Sequence, residues 1–312
     1  MKNGVSIIVV SYNVASSLQR CLDSYLNLID SATDEIIVID NNSTDHSADM
    51  VEKNFPNIRL IKNVQNSGYS KACNQGYRNS KNNILIFSNG DITVPSNFLN
   101  LVREKMNGLS NCGIIGSQLI SFEGSIIQPS WSYNFTFLNQ IFLSFFSPNR
   151  VFGSSIIKNL VIMRQRKEKP VPVVDGACMI LSRKMLDVIG GMDENFELYF
   201  EDVDICLRCR QAGFNIYFVP SIKAFHGLGK SGEVMPRKIQ LIYRQSQIYY
   251  YRKHNSWIEL LLIKFYLLLK CFLQGVWRDK VYFQYFKDIL FERKHYKLND
   301  SILVDSKDNF YQ

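Results

Sequence analysis

Residues 84–92 read ILIFSNGDI, an apolar run that closes on Asn89-Gly90-Asp91. A short apolar run bounded by a polar, glycine-containing turn predicts a strand buried on both faces, and such strands belong to parallel sheets. In open sheets of this kind ligands collect beyond the carboxyl ends of the strands, so Asp91 is placed to hold a metal or a phosphate. A second acidic stretch, residues 190–208, reads GGMDENFELYFEDVDICLR and gathers Glu197, Glu201, Asp202 and Asp204. Acids this dense repel one another and are tolerated best where a cation or a helix N-terminus offsets their charge. Together the two stretches point to metal-assisted chemistry on a phosphorylated substrate.

Upstream of the first stretch, apolar runs at 5–10, 35–40 and 59–62 predict three more strands, with 84–88 as the fourth. Between them, residues 16–29 place Leu18, Cys21, Leu22, Tyr25, Leu26 and Ile29 at helical spacing, and 43–55 opens on Ser/Thr/Asp capping chemistry. The β-α-β-α order predicts an α/β fold with a parallel sheet and ligand loops at Ser11-Tyr12-Asn13, Asp40-Asn41-Asn42-Ser43 and Asn89-Gly90-Asp91. The first of these loops, in SYNVASS, has no glycine, which argues against a dinucleotide cofactor, and no G-x-x-x-x-G-K-[ST] loop supports ATP hydrolysis. Further on, the pattern predicts a helix over 96–106 and strands over 112–121, 173–182 and 215–219. Residues 134–146 carry seven apolar residues along one helical arc. Core packing is the default for that arc, and a membrane-contacting face, followed by the basic run 158–169, is the alternative.

The chain has 312 residues, 46% of them hydrophobic, and a net charge of +8, which suits a globular protein with anionic partners. No nucleic-acid-binding module is recognisable, and the acidic cluster opposes such a role. Seven scattered cysteines, an odd number, fit a reducing compartment. Cys206 and Cys209 are read as neighbours on one helix face, with no second pair to complete a metal site. The apolar stretch near the N-terminus is short and is read as a strand, not a signal peptide. From about Gly227 the pattern turns helical, with aromatics between Arg and Lys. Residues 257–273 are almost wholly apolar, but Glu259, Lys264 and Lys270 interrupt them, so an interfacial helix on anionic lipid is expected, with burial against the rest of the chain as the alternative.

The blocks SIIVVSYN, VIDNNSTD, NSGYSKACNQG, ILIFSNGD, DGACMILSRK and GGMDENFELYFEDVDICLR, in this order over roughly residues 4–230, resemble family-2 inverting glycosyltransferases of the GT-A fold. EDVD, HGLGKS and YYYRKHNS look most like bacterial rhamnosyltransferases of cell-surface polysaccharide synthesis. The resemblance implies a Rossmann-like mixed sheet flanked by helices over 1–226, with a nucleotide-binding half to about 95 and an acceptor half after it. A helical C-terminal extension over 227–312 follows. It also implies that Asp40 accepts the N3–H of uracil or thymine, although an Asx-turn or helix cap would use the same residue. Ser11 and Tyr12 would line the base pocket, and Gly68, Lys71, Asn74, Asn89 and Gly90 would border the nucleotide. Asp91, with His226, would hold Mg²⁺ or Mn²⁺; family members often carry Asp-x-Asp where this chain has Asn89-Gly90-Asp91. Asp202 would be the general base, although acids at a helix N-terminus are also favourable there without chemistry. The expected reaction transfers one sugar, because the Q-x-x-R-W of processive synthases is missing. Rhamnose from a dTDP donor, passed to a saccharide or lipid-linked saccharide, is expected in the cytoplasm at the inner face of the membrane. A UDP-sugar donor and a non-catalytic nucleotide-binding partner are the alternatives.

Overall fold

The computed structural model describes residues 4–122, 128–140, 165–227, 237–277 and 281–291. Strands β1 (Val5–Ser11), β2 (Glu35–Asp40), β3 (Arg59–Lys62) and β4 (Ile84–Asn89) alternate with helices α1 (Ala15–Leu26), α2 (Ser47–Asn54) and α3 (Tyr69–Arg78). β1 lies parallel between β2 and β4, and β2 pairs parallel with β3. The apolar runs are continuous because both faces are covered: Ile7, Ile8 and Val9 of β1 and Leu85, Ile86 and Phe87 of β4 are fully buried. In α1 the helical spacing reappears as a buried stripe of Leu18, Cys21, Leu22 and Tyr25.

Next come β5 (Ile92–Thr93), α4 (Phe98–Gly108), β6 (Cys112–Ser121), β7 (Trp131–Ser132), β8 (Lys169–Pro170), β9 (Val173–Val174) and β10 (Cys178–Ser182). Helices α5 (Arg183–Ile189) and α6 (Glu201–Gln211) and strand β11 (Asn215–His226) complete this part. The main sheet runs β3-β2-β1-β4-β10-β6-β11-β5, with β8 also on β11. It is mixed, since β10 is antiparallel to both β4 and β6 while β11 is parallel to β6. The expected α/β architecture is therefore present.

Two strand boundaries differ from expectation by more than one residue. Residues 173–182 are not one strand: the chain turns at Asp175-Gly176-Ala177, where Asp175 Oδ1 accepts from the Ala177 N–H at 2.9 Å. β9 leaves the main sheet to pair with β7, and only β10 stays in it. The strand expected over 215–219 continues to His226 through a register shift between Val219 and Lys223, the bulge that Pro220 requires.

The C-terminal part forms α7 (Arg237–His254), α8 (Trp257–Trp277) and α9 (Val281–Phe291). Leu241, Tyr251, Ile263 and Leu267 join one buried cluster with Phe196, Phe200 and Ile205, so these helices share the core of the sheet domain. Phe135 belongs beside that core, its ring 5.2 Å from Phe200. The rest of the Phe-rich arc, beyond residue 140, and most of the basic run 158–169 lie outside the described residues. Among the described residues no helix is long and apolar enough to cross a membrane.

Candidate active site

β1 and β2 deliver two polar side chains to the carboxyl edge of the sheet at the same level, Ser11 opposite Asp40. Both are buried. Asp40 Oδ2 accepts from the Ser43 N–H at 2.9 Å, so the turn reading is correct for that oxygen. Asp40 Oδ1 and Ser11 Oγ are buried without a hydrogen-bond partner. A buried polar atom left unpaired costs about 1–3 kcal/mol, and two side by side at a sheet edge make a socket for a ligand that pairs with them. Tyr12 beside them is exposed.

Behind this edge an amide network shapes the loops. Asn41 Oδ1 accepts from Asn63 Nδ2 at 2.8 Å and Ser67 Oγ at 3.1 Å, and Asn41 Nδ2 donates to the Gly68 carbonyl at 3.3 Å. Gly68 precedes α3 with φ of +84°, and a Cβ there would lie 3.0 Å from the Glu197 carbonyl oxygen. Lys71 is exposed on the first turn of α3. Asn74 is differently employed: it is buried, and its amide clamps the loop after α5 through Met192 N, Met192 O and Glu194 Oε1. Packing, not exposure to a ligand, is its observed function.

The end of β4 carries the next group. Asp91 Oδ1 lies 3.4 Å from His226 Nε2, brought there by the antiparallel pairing of β5 with the end of β11. Burial opposes a charged imidazole at His226, but Asp91 and Asp175 outweigh it and raise the ring above its ordinary value. The Asn89 N–H donates to the Ala177 carbonyl at 2.9 Å, which lays the 175–177 turn against the Asn89-Gly90-Asp91 loop.

That turn also touches the base candidate. A Cβ on Gly176 would lie 3.1 Å from Asp202 Cβ, and the Tyr69 hydroxyl donates to the Gly176 carbonyl at 3.0 Å. Asp202 stands in the first turn of α6, its Oδ1 accepting from the Val203 N–H at 2.8 Å. Tyr199 and Phe200, just before the helix, both adopt left-handed φ, +66° and +68°. Such strain costs of order 1–3 kcal/mol per residue and gathers at functional sites. Burial, and then the charge of Asp175, push the Asp202 carboxyl well up. Burial and Asp202 do the same to Glu201, whose Oε2 has no partner. Asp204 is the opposite case: its hydrogen bond to His254, the Arg208 charge and Lys253 overcome burial and hold it below the usual range. Its partners stand at 2.6 Å (His254 Nε2) and 2.7 Å (Arg208 Nε, Lys253 Nζ), a buried knot that ties α7 to α6. Beside Asp202 opens a cavity of about 210 Å³, walled by Trp131, Tyr199, Phe200 and Tyr243, with Asp175 and Asp202 in its lining.

Residues 6–190 match the family model described as glycosyl transferase family 2, and 126–289 match glycosyl transferase family group 2. The chain belongs to glycosyl transferase family 2. The N-acetylglucosaminyl-diphospho-decaprenol L-rhamnosyltransferase of Mycobacterium tuberculosis is 23% identical over 82% of this chain and 87% of its own length. The dTDP-rhamnosyl transferase RfbF of Shigella flexneri is 24% identical over 83% of this chain and 81% of its own. Among solved structures, the Pyrobaculum calidifontis mannosyltransferase PcManGT, in complex with GDP-Man and Mn²⁺, superposes with a TM-score of 0.55 at 14% identity, over 94% of this chain and 89% of that one. Staphylococcus aureus TarS 1–349 with UDP gives 0.53 at 15% identity, over 78% and 64%. The GT-A fold is thereby shown.

For this glycosyltransferase, Asp91 and His226 fit a divalent cation. Mg²⁺ and its like are held by one or two carboxylates and complete their shell with substrate phosphates and water, so Asp91 at an open sheet edge suits such an ion, and His226 would join it only as the neutral imidazole. Among the described residues no group of three or more His, Cys, Asp and Glu converges on one point. Of HGLGKS, the residues after Gly227 lie outside the described residues. Sequence reading passed over Asp175, Trp131, Tyr199 and Tyr243, which meet Asp202 only through the turn after β9 and the packing of α7. The Asp175-Gly176 pair inside an apolar run was the available signal, since it is turn chemistry in a place where a strand needs none.

Proposed function

We propose that this glycosyltransferase moves a single sugar, rhamnose from dTDP-rhamnose, with inversion, onto a lipid-linked saccharide at the inner membrane surface. The unpaired Asp40 Oδ1 beside Ser11 Oγ carries the donor reading. A buried carboxylate oxygen in need of a donor pairs with the N3–H of thymine or uracil, a proton that cytosine lacks; guanine could offer its N1–H, and the similar dTDP-rhamnosyl transferase favours thymine. The same chemistry admits a UDP-sugar as the second reading; rhamnose is favoured by the two similar rhamnosyltransferases. Tyr12, Gly68, Lys71, Asn89 and Gly90 border the nucleotide in this arrangement. Asp91 and His226 would hold Mg²⁺ or Mn²⁺, which when bound offsets the charge of the departing diphosphate. Asp202 takes the proton of the acceptor hydroxyl as its oxygen attacks the anomeric carbon and the bond to the diphosphate breaks. Its raised proton affinity suits that task, and the first turn of α6 orients it.

The membrane part rests on α8. Trp257, Leu261, Phe265, Phe272 and Val276 are each 48–70% exposed along one face, while Ile263 and Leu267 of the other face are buried in the core. An apolar stripe this long on an otherwise packed helix fits the headgroup boundary. Residues 227–312 hold fifteen Lys and Arg against eight Asp and Glu, +7 of the chain's +8, which favours anionic lipid.

Thermal stabilisation by a panel of nucleotide sugars, with and without Mg²⁺ or Mn²⁺, tests the donor site. Thymidine and uridine diphosphate sugars raise Tm, most with cation, and Asp40→Asn weakens the effect by about 10-fold or more, as expected for a lost charge-assisted hydrogen bond. Equal stabilisation by guanosine or cytidine diphosphate sugars rejects the assignment.

A further inference from the structure

The cavity beside Asp202 has its own chemistry. Its walls are aromatic, from Trp131, Phe200 and Tyr243, and two carboxyl groups, Asp175 and Asp202, are part of its lining. Trp131 Nε1 is buried without a hydrogen-bond partner. Lys169 Nζ sits 3.9 Å over the indole ring and draws density from it, which strengthens that N–H as a donor. One Asp175 oxygen is engaged by the Ala177 N–H at 2.9 Å, and the residue is anchored by its own N–H to the Ser130 carbonyl at 3.1 Å. Its carboxylate is therefore held at the wall by the backbone. At about 210 Å³ the space is smaller than the roughly 300–1,000 Å³ of drug-sized pockets, so it holds one ring.

Aromatic walls favour the C–H faces of a pyranose, the orphan indole N–H seeks an acceptor oxygen, and the carboxylates seek hydroxyl donors. We infer that this cavity is the subsite for the terminal sugar of the acceptor, that it takes a neutral pyranose, and that Asp175 is a specificity residue that accepts a hydrogen bond from a hydroxyl other than the one that reacts. The inference deepens the transferase reading and rests on it. Once ionised, the two carboxyl groups in the lining turn away anionic sugars such as uronates by like-charge repulsion. Tyr243 comes from α7, so the C-terminal helices complete the subsite as well as packing on the domain.

The test is binding of octyl glycosides to the full chain, read by quenching of Trp131 fluorescence with Trp257 and Trp277 replaced by Phe. Neutral glycosides (N-acetylglucosaminide, glucoside, rhamnoside) are expected to quench saturably, at least one of them binding 10-fold or more tightly than the glucuronide. Asp175→Asn, which keeps the acceptor oxygen for Ala177, is expected to weaken that glycoside 10-fold or more while nucleotide sugars still stabilise the chain. Trp131→Phe, read by saturation transfer from protein to glycoside, keeps the ring and loses the donor, and is expected to weaken binding likewise. Glucuronide binding as tight as the neutral sugars, or affinity unmoved by both variants, overturns the inference. Intact glycoside binding in a chain that no nucleotide sugar stabilises would instead reject the transferase reading and leave a sugar site.

Discussion

Replacing Asp202 by Asn separates chemistry from stability in this active site. The substitution keeps the oxygen that accepts from the Val203 N–H and removes a buried charge that repels Glu201 and Asp175. Asp202 and Glu201 both sit above their ordinary carboxylate values, so the folded chain holds these protons more tightly than the unfolded chain. Their contribution to stability is fully present below about pH 4, where both states are protonated, and is lost as pH rises through the raised folded values. At pH 8 the wild-type carries the repulsion of crowded, desolvated charges, and Asp202→Asn relieves a share on the order of 1–3 kcal/mol. A gain of that size raises Tm by a few degrees in a chain this long. Near pH 4.5 the gain shrinks toward zero, because little of that charge remains to remove. Turnover moves the other way, down by about 10²–10⁴ for loss of a general base, or about 3–5 kcal/mol of barrier. The assays are scanning calorimetry at pH 4.5 and 8, and nucleoside diphosphate release with and without acceptor. Turnover within 10-fold of wild type, or a Tm change of the same sign and size at both pH values, would falsify the argument.

Gly176→Ala brings a Cβ to 3.1 Å from Asp202 Cβ and so displaces the base by a few tenths of an ångström. It is expected to lower kcat by about 10-fold with nucleotide-sugar stabilisation unchanged, and an unaltered kcat would show that the turn does not position the base. Asp204→Asn leaves Arg208, Lys253 and His254 packed around a neutral group, at a cost of about 3–5 kcal/mol in urea unfolding, and a loss below 1 kcal/mol would show the knot to be slack. Phe265, 67% exposed on α8, is changed to Glu to test lipid contact. Phe265→Glu is expected to reduce co-sedimentation with phosphatidylglycerol vesicles several-fold at unchanged Tm, and undiminished co-sedimentation refutes the lipid-facing assignment of that stripe.

Which parts of this enzyme can be read from sequence follows from the range of the forces involved. β2 and β3 end where apolar patterning ends, and β1 and β4 run one residue further; in β1, β2 and β4 burial on both faces leaves little choice of residue, and Asp40 or Asn89 marks the exit from the sheet. Asp40, Asp91 and Asp202 stand out for a related reason: a charge next to an apolar run is locally visible. The acceptor side is not legible in this way. Pro220 reads as a stop, yet β11 passes through it, because pairing with β6 along most of its length outweighs the missing N–H and the irregularity is absorbed in a bulge. His226 therefore ends a strand and meets Asp91 by registry with β5, a pairing that no local spacing encodes. The run 173–182 is as apolar as a single strand, and only the Asp175-Gly176 pair betrays the turn that joins the Asp91 loop to Asp202. Tyr243 lies more than one helix away in sequence from any acid it faces. It reaches the cavity because Asp204, Lys253 and His254 fix α7 against α6, so the electrostatic knot behind the base is also what shapes the pocket in front of it.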